Sequence, residues 1–265
     1  MMSYLNFSNE ELFSKANKFK ETYTSAIPFP HIVLDDFFNE KSLDLLIENF
    51  PKSSNEYSSQ FDNKSEKKLT LNNPKQFSDE NNNFINFLNS FIFTNFLQVI
   101  TNINETLVPD PYLIGGGLHE LKNGGFLNIH ADFNIHPKMK LDRRLNVLIY
   151  LNKNWSDENG GQLELWNKEM TKCHKSIIPK YNRMVIFSTT TFSYHGNPNK
   201  VKCSEDKSRK SLALYYYSNG RPSHEIELGN HSTIFRKRPG TNEIDRNVEF
   251  KKLFGKFYMR TKNNK

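Results

Sequence analysis

The chain comprises 265 residues (31.1 kDa), enough for one large domain or two small ones with a proper core. Aromatics at 13%, dominated by 22 Phe, exclude a disordered chain, and no apolar run reaches the roughly 18 residues of a membrane span. The net charge of +7 invites a nucleic-acid partner, yet residues 236–265 alone hold ten basic and three acidic residues, so the rest of the chain, 26 basic against 26 acidic, is electrically balanced.

In chain order, Ser8 followed by Glu11 has the spacing of a capping box and opens a helix to about Thr22. Pro28-Phe29-Pro30 stops it, His31–Leu34 reads as a short strand, and Asn39–Phe50 as a second helix ending before Pro51. Residues 52–77 are polar and turn-rich, a long surface excursion. Over 79–102 apolar residues recur at helical spacing (Phe84, Leu88, Phe91, Ile92, Phe96, Val99), which predicts one helix buried on one face.

From residue 112 the texture changes to short β-like runs. These are Tyr112–Ile114, Leu118–Leu121, Phe126–His130, Leu145–Leu151, Gln162–Trp166, Lys175–Ile178, Arg183–Phe187 and Leu212–Tyr217, punctuated by Gly124-Gly125, Gly160-Gly161 and Gly196-Asn197-Pro198. The expected fold class is α+β, mainly β: a jelly-roll or cupin-like barrel supported by N-terminal helices. Residues 1–111 form the helical support with an entry strand, 112–220 the core, and 221–265 a basic extension of the same domain. In that extension Phe250, Leu253, Phe254, Phe257 and Tyr258 predict an amphipathic helix packed on the barrel with a basic outer face.

Two cysteines, Cys173 and Cys203, make neither a disulfide framework nor a zinc spacing, and Met1–Lys18 is too charged for a secretory signal; the expected location is cytoplasmic. No convincing Ser-His-Asp or Cys-His set is present. The chemistry lies elsewhere. His130-Ala131-Asp132 follows a strand, and residues i and i+2 of a strand project to one face, so both side chains can hold one ion. His195, just before Gly196, is the best third ligand. Two imidazoles and one carboxylate on one face of an octahedron leave three open positions, the arrangement suited to non-haem Fe(II). The tripeptide alone is a weak pattern, and its context decides. Arg209 opens an apolar strand and offers a planar fork for a carboxylate, with Ser211 on the same face and Tyr150 on a neighbouring strand.

The run His130-Ala131-Asp132, Tyr150-Leu151-Asn152, Gly160-Gly161-Gln162-Leu163, His195 and Arg209 resembles the 2-oxoglutarate- and Fe(II)-dependent oxygenases, most closely their prolyl-4-hydroxylase-like branch, over residues 112–220. The resemblance implies a double-stranded β-helix with His130, Asp132 and His195 as iron ligands. It implies Arg209 as the clamp for the distal carboxylate of 2-oxoglutarate, assisted by Tyr150 and Ser211, with Leu148, Leu163 and Ala213 lining the cosubstrate slot. It further implies O2 as cosubstrate, ascorbate as reductant, and hydroxylation of an unactivated C–H with release of succinate and CO2. One departure stands out: where that branch often carries a tyrosine near the iron-bound end of the cosubstrate, this chain reads His119-Glu120-Leu121, and His119 is expected to face solvent or pack on its neighbours.

The segment Phe133–Asp142 is long enough for a lid, in which Phe133, Asn134 and His136 could touch substrate, His136 being the weakest candidate. By strand parity Arg144, Asn146, Leu148 and Tyr150 share one face, which would turn Arg144 and Asn146 to the cavity. A nucleic-acid demethylase of the same superfamily is disfavoured, because the second arginine that typically follows the clamp by six residues is Tyr215 here. A non-catalytic jelly-roll binding protein would not need the full ligand set. Substrate stays open between a small molecule and a peptidyl proline or other side chain, with a slight preference for the former because no recruiting peptide-binding module is visible. The oligomeric state is not legible.

Overall fold

Ser8 Oγ accepts from the Glu11 N–H at 3.2 Å while the Glu11 carboxylate accepts from the Ser8 N–H at 2.8 Å. This reciprocal cap starts helix α1 (Asn9–Thr24) where the sequence placed it. The computed structural model describes residues 3–225 and 229–247; the amphipathic helix expected at Phe250–Tyr258 lies outside them. Strand β1 (His31–Asp35) and helix α2 (Glu40–Glu48) follow as expected.

Two expectations for the N-terminal third fail. The supposed surface excursion contains β2 (Ser59–Asp62) and β3 (Glu66–Leu71), and β3 is an integral stave of the sheet. Its partners lie about fifty residues downstream, so its local polarity hid a long-range pairing. The single helix over 79–102 is two, α3 (Asp79–Leu88) and α4 (Phe91–Thr101), bent by 44°. Ser90 causes the break, because its Oγ accepts from the Phe93 N–H as a fresh N-cap.

The β region then runs β4 (Val108–Pro109), β5 (Gly117–Leu121), β6 (Phe126–Ala131), β7 (Asp142–Tyr150), β8 (Leu163–Trp166), β9 (Cys173–Ile177), β10 (Arg183–Ser188), β11 (His195–Asn197), β12 (Arg209–Ser218), β13 (Ile234–Phe235) and β14 (Arg246–Asn247). The strand expected at Tyr112–Ile114 is instead a turn, because the Asp110 carboxylate accepts from the Tyr112 and Ile114 N–H groups at 2.8 and 2.7 Å. All pairings are antiparallel, in the order β1-β10-β7-β12-β5-β3-β6-β11-β8-β9. One sheet, β1-β10-β7-β12-β5, faces a second, β6-β11-β8-β9, with β3 joining them: a double-stranded β-helix. One apolar core, from Leu5 through Phe96 to Tyr216, fills the space between the helices and the outer face of the first sheet. The inner face is left to line the barrel.

Asn182 ties the N-terminal region to that barrel. This buried residue sits in the left-handed region (φ 56°), where its Oδ1 accepts from the Phe38 N–H and its Nδ2 donates to the Phe38 carbonyl. The side chain thus prolongs the β1 ladder past Asp36. Asn182→Ala removes both bonds, strands the buried Phe38 N–H while the Phe38 carbonyl keeps Asn6 Nδ2 as a donor, and leaves a less tolerant residue at positive φ, so urea unfolding should report a loss of about 2–3 kcal/mol.

Candidate active site

Antiparallel register sets His195, the first residue of β11, directly opposite His130 on β6, and the two imidazole centroids lie 4.5 Å apart. So close an approach needs Gly196, where a Cβ would stand 2.7 Å from the Asn128 carbonyl oxygen and 2.8 Å from that of Leu127. Asp132 projects beside His130. Its Oδ1 is 3.6 Å from His130 Nε2 and its Oδ2 3.4 Å from His195 Nε2. One ligand atom from each residue lies within 4.8 Å of the others, a set that could hold a metal ion.

The tautomers suit a cation. His130 Nδ1 lies 2.9 Å from the Asn128 carbonyl and His195 Nδ1 2.9 Å from the Ser193 carbonyl. A carbonyl oxygen only accepts, so each Nδ1 carries the hydrogen and each Nε2 presents its lone pair to the centre. Burial, helped by the neighbouring His130, lowers the His195 pKa to about 4, which keeps it a neutral donor. Asp132 behaves oppositely. Burial disfavours its charge, but Arg143 and the two imidazoles hold it well below the ordinary carboxylate range.

Arg143 is the residue that sequence parity missed. Along β7 and β12, Leu145 pairs with Tyr216 but Arg143 pairs with Tyr217, so Arg144 is the extra residue of a β-bulge. Every side chain before the bulge changes face. Arg144 therefore turns away from the cavity, to Glu105 at 2.8 Å and Ser218 Oγ at 2.9 Å, correcting the expectation. Arg143 turns inward, lies over the Tyr215 ring at 3.5 Å, and places Nη2 3.0 Å from Asp132 Oδ2. Asn146, inward as expected, accepts from Arg143 on Oδ1 and donates to Asp132 Oδ2 at 2.8 Å. With two donors on Oδ2, the lone pairs of Oδ1 are the ones left for a cation.

The second half of the site is an anion pocket. Arg209, Ser211 and Ala213 share the inner face of β12, with Ser211 opposite Tyr150 and Ala213 opposite Leu148. Leu163 packs with Tyr150, with Leu148 against the same cluster. Arg209 is buried, donates through Nε to the Gly161 carbonyl at 2.8 Å, and lies 4.9 Å from the Tyr150 ring centroid. Gly161 (φ +67°) admits it: a Cβ there would stand 2.8 Å from Arg209 Cδ. No carboxylate lies within ion-pair distance of Arg209 among the described residues. The Tyr150 hydroxyl beside it is buried and faces a guanidinium that can only donate, so among the described residues its own proton has no acceptor, and burial raises its pKa, keeping it a neutral donor. A buried cation without a counter-ion and an unpartnered donor fit an anionic ligand such as the distal carboxylate of 2-oxoglutarate.

Other expectations sort differently. His119 pairs across from Ser211, so it faces the barrel interior rather than solvent, and burial drives its pKa to about 3. Its neighbour Glu120 points outward to Tyr57 and Ser208. His136 is committed to its own loop: Nε2 lies 3.1 Å from Asp110, and Nδ1 accepts from the Lys138 and Met139 N–H groups. Phe133 is buried against Ala213, Tyr215 and Tyr217. β13, from the basic extension, pairs with β6 and sets Phe235 5.5 Å from the His130 ring, a wall that no local sequence signal disclosed.

A family model described as the 2OG-Fe(II) oxygenase superfamily matches residues 116–217, a span that includes His130, Asp132, His195 and Arg209. Prolyl 3-hydroxylase OGFOD1 of Xenopus laevis is 26% identical over 215 residues, covering 77% of this chain; the chain spans 38% of that protein's length. Among solved structures, a Trichoplax adhaerens prolyl hydroxylase in complex with a hypoxia-inducible-factor oxygen degradation domain peptide is 18% identical with a TM-score of 0.54, covering 79% of this chain and 91% of that one. A Pseudomonas putida prolyl-4-hydroxylase is 14% identical with a TM-score of 0.53, covering 77% and 100%. The structural likenesses carry the double-stranded β-helix fold. The family match bears out the resemblance and brings Fe(II) and 2-oxoglutarate as the cofactors of the matched segment.

Two measurements test the electrostatics. Removing the charge beside Asp132 with Arg143→Met should weaken Zn(II) or Co(II) binding about 10–100-fold in calorimetric titrations and raise the pH at which binding is lost. Acid should also weaken the metal-free fold. The unfolded chain protonates His195 near pH 6.5 but the folded chain only near pH 4, so the unfolded state binds more protons between those values and stability falls as pH falls through them. Unfolding free energies from urea titrations at pH 7 and 4.5 should differ by about 2 kcal/mol through this residue.

Proposed function

We propose that this chain, whose residues 116–217 belong to the 2OG-Fe(II) oxygenase superfamily, is a hydroxylase acting on a peptidyl side chain, most naturally a prolyl residue. The observation that carries the reading is the adjacency, inside one barrel, of a three-ligand metal set and a buried arginine with no counter-ion. In this reading His130, Asp132 and His195 hold Fe(II), which with 2-oxoglutarate and O2 supplies the oxidising power for C–H hydroxylation, one oxygen atom entering the substrate and the other succinate as CO2 leaves.

The chain's own residues do the rest. Arg209, its Nε fixed on the Gly161 carbonyl, offers its terminal nitrogens as a fork for the distal carboxylate of 2-oxoglutarate, and Tyr150 donates its free hydroxyl to the same group. Leu148, Leu163 and Ala213 exclude water along the slot, and Ser211 and His119 face it from neighbouring strands. Arg143 and Asn146 occupy Asp132 Oδ2, which orients the carboxylate. Phe187, 4.6 Å from His195, and Phe235 shield the centre from water. No residue needs to act as a general base.

Peptidyl substrates are favoured over small molecules because of what the relatives are: prolyl hydroxylases, one of them in complex with a peptide. Ascorbate serves as reductant. A cytoplasmic setting accords with two free thiols, Cys173 and Cys203, and the balanced body gives no support to a nucleic-acid partner.

Purified protein with Fe(II) and 2-oxoglutarate should release succinate, and a panel of proline-containing peptides should yield products heavier by one oxygen. No turnover and no iron uptake would leave a ligand-binding barrel instead. Arg209→Gln should weaken 2-oxoglutarate binding about 100-fold in equilibrium measurements with Zn(II) in the metal site, while Zn(II) affinity itself stays near that of the parent protein. Equal 2-oxoglutarate affinity in that variant refutes the clamp.

A further inference from the structure

Residues 229–235 run as a strap along β6 and the segment that follows it. Ile234 pairs with Ala131 and Phe235 with His130, so the strap is anchored on the strand that carries His130 and ends one residue before Asp132. Just ahead of that anchor, Asn134 grips it from the loop after Asp132. Asn134 Oδ1 accepts from the His231 N–H at 2.9 Å, the Asn134 N–H donates to the His231 carbonyl at 3.3 Å, and Asn134 Nδ2 donates to the Gly229 carbonyl at 3.2 Å. His231 is therefore held in place at the rim of the site by its own backbone.

Its side chain is not fully used. His231 Nδ1 lies 2.9 Å from the Ser232 carbonyl, which only accepts, so Nδ1 carries the hydrogen. Nε2 is then a lone-pair acceptor, and it is buried with no partner. Burial lowers the His231 pKa and so favours this neutral form, while the Asp132 carboxylate and the Arg221 guanidinium act on the ring with opposite signs. The pairing of Phe235 with His130 and of Ile234 with Ala131, continued by the Asn134–His231 hydrogen bonds, places His231 beside the segment that carries Asp132. A dehydrated acceptor is costly unless something donates to it. A neutral N–H satisfies the neutral acceptor without bringing a further charge into a place where Asp132 and Arg221 already oppose each other.

We propose that His231 Nε2 accepts a hydrogen bond from the backbone N–H that follows the target residue of a peptidyl substrate. A prolyl residue has no N–H of its own, so the donor is the amide of the next residue. The inference rests on the hydroxylase reading and deepens it: the strap supplies a recognition contact that a free amino acid cannot satisfy, because its carboxylate replaces that amide.

The smallest probes that separate the cases are N-acetyl-L-proline methylamide, which has the N–H, and N-acetyl-L-proline dimethylamide, which lacks it. With Fe(II) and 2-oxoglutarate, the methylamide should stimulate succinate formation over the amide-free rate about tenfold more than the dimethylamide does in the parent protein. In His231→Phe, each rate being referred to that variant's own amide-free rate, the ratio should collapse to about one. His231→Gln, whose Oε1 can still accept, should recover part of it, with thermal midpoints confirming that both variants fold. Equal stimulation by the two amides, stimulation by neither, or an undiminished ratio in His231→Phe overturns the contact alone. Absence of succinate from the parent protein overturns the hydroxylase reading and this inference with it.

Discussion

The site depends on the cross-strand pairing of His130 with His195. Antiparallel register makes two imidazoles neighbours although they are separated by most of the barrel's sequence, and Gly196 makes the approach sterically possible. Each ring is then turned the same way by the same device, a backbone carbonyl two residues earlier that claims Nδ1. Backbone geometry thus assembles the ligand set, and Asp132, one residue past the end of β6, completes it.

Around this pair the protein treats two buried arginines in opposite ways. Arg143 is compensated by Asp132, Asn146 and the faces of two aromatic rings, so its charge is spent within the protein. Among the described residues Arg209 has a carbonyl and an aromatic face but no acid, so its charge is held in reserve for a ligand. Burying an uncompensated guanidinium is among the costlier things a fold can do. That cost is the physical mark of a binding function, and it separates Arg209 from the many buried arginines that serve structure.

Much of this was legible in the chain, for reasons that differ by residue. His130 and Asp132 could be read from the two-residue period of a strand, and Arg209, Ser211 and Tyr150 from their places on apolar strands; the structure brings these residues together in one barrel. Arg143 was hidden because strand parity holds only until a bulge, and a bulge inserts its extra residue without a composition signal. His119 is expected to face solvent or pack on its neighbours, and the sequence could not choose the second because its strand is buried on both faces, so alternation gives no direction. β3 and the strap of residues 229–235 were missed for a common reason. Each is short and polar, and each gains its structure from a distant strand rather than from its own pattern.

The position of β3 carries a consequence for how the fold can be divided. The segment that matches the oxygenase family begins at residue 116, yet β3 ends at Leu71 and joins the two sheets by pairing with both β5 and β6, while β1 covers the outer edge of β10. Excised at its family boundaries, the barrel would have open strand edges at the seam and at β10, each bearing unpaired N–H and C=O groups ready to template another chain. The N-terminal region therefore acts as edge protection as well as support, and the smallest unit with closed strand edges is larger than the segment that holds the candidate site.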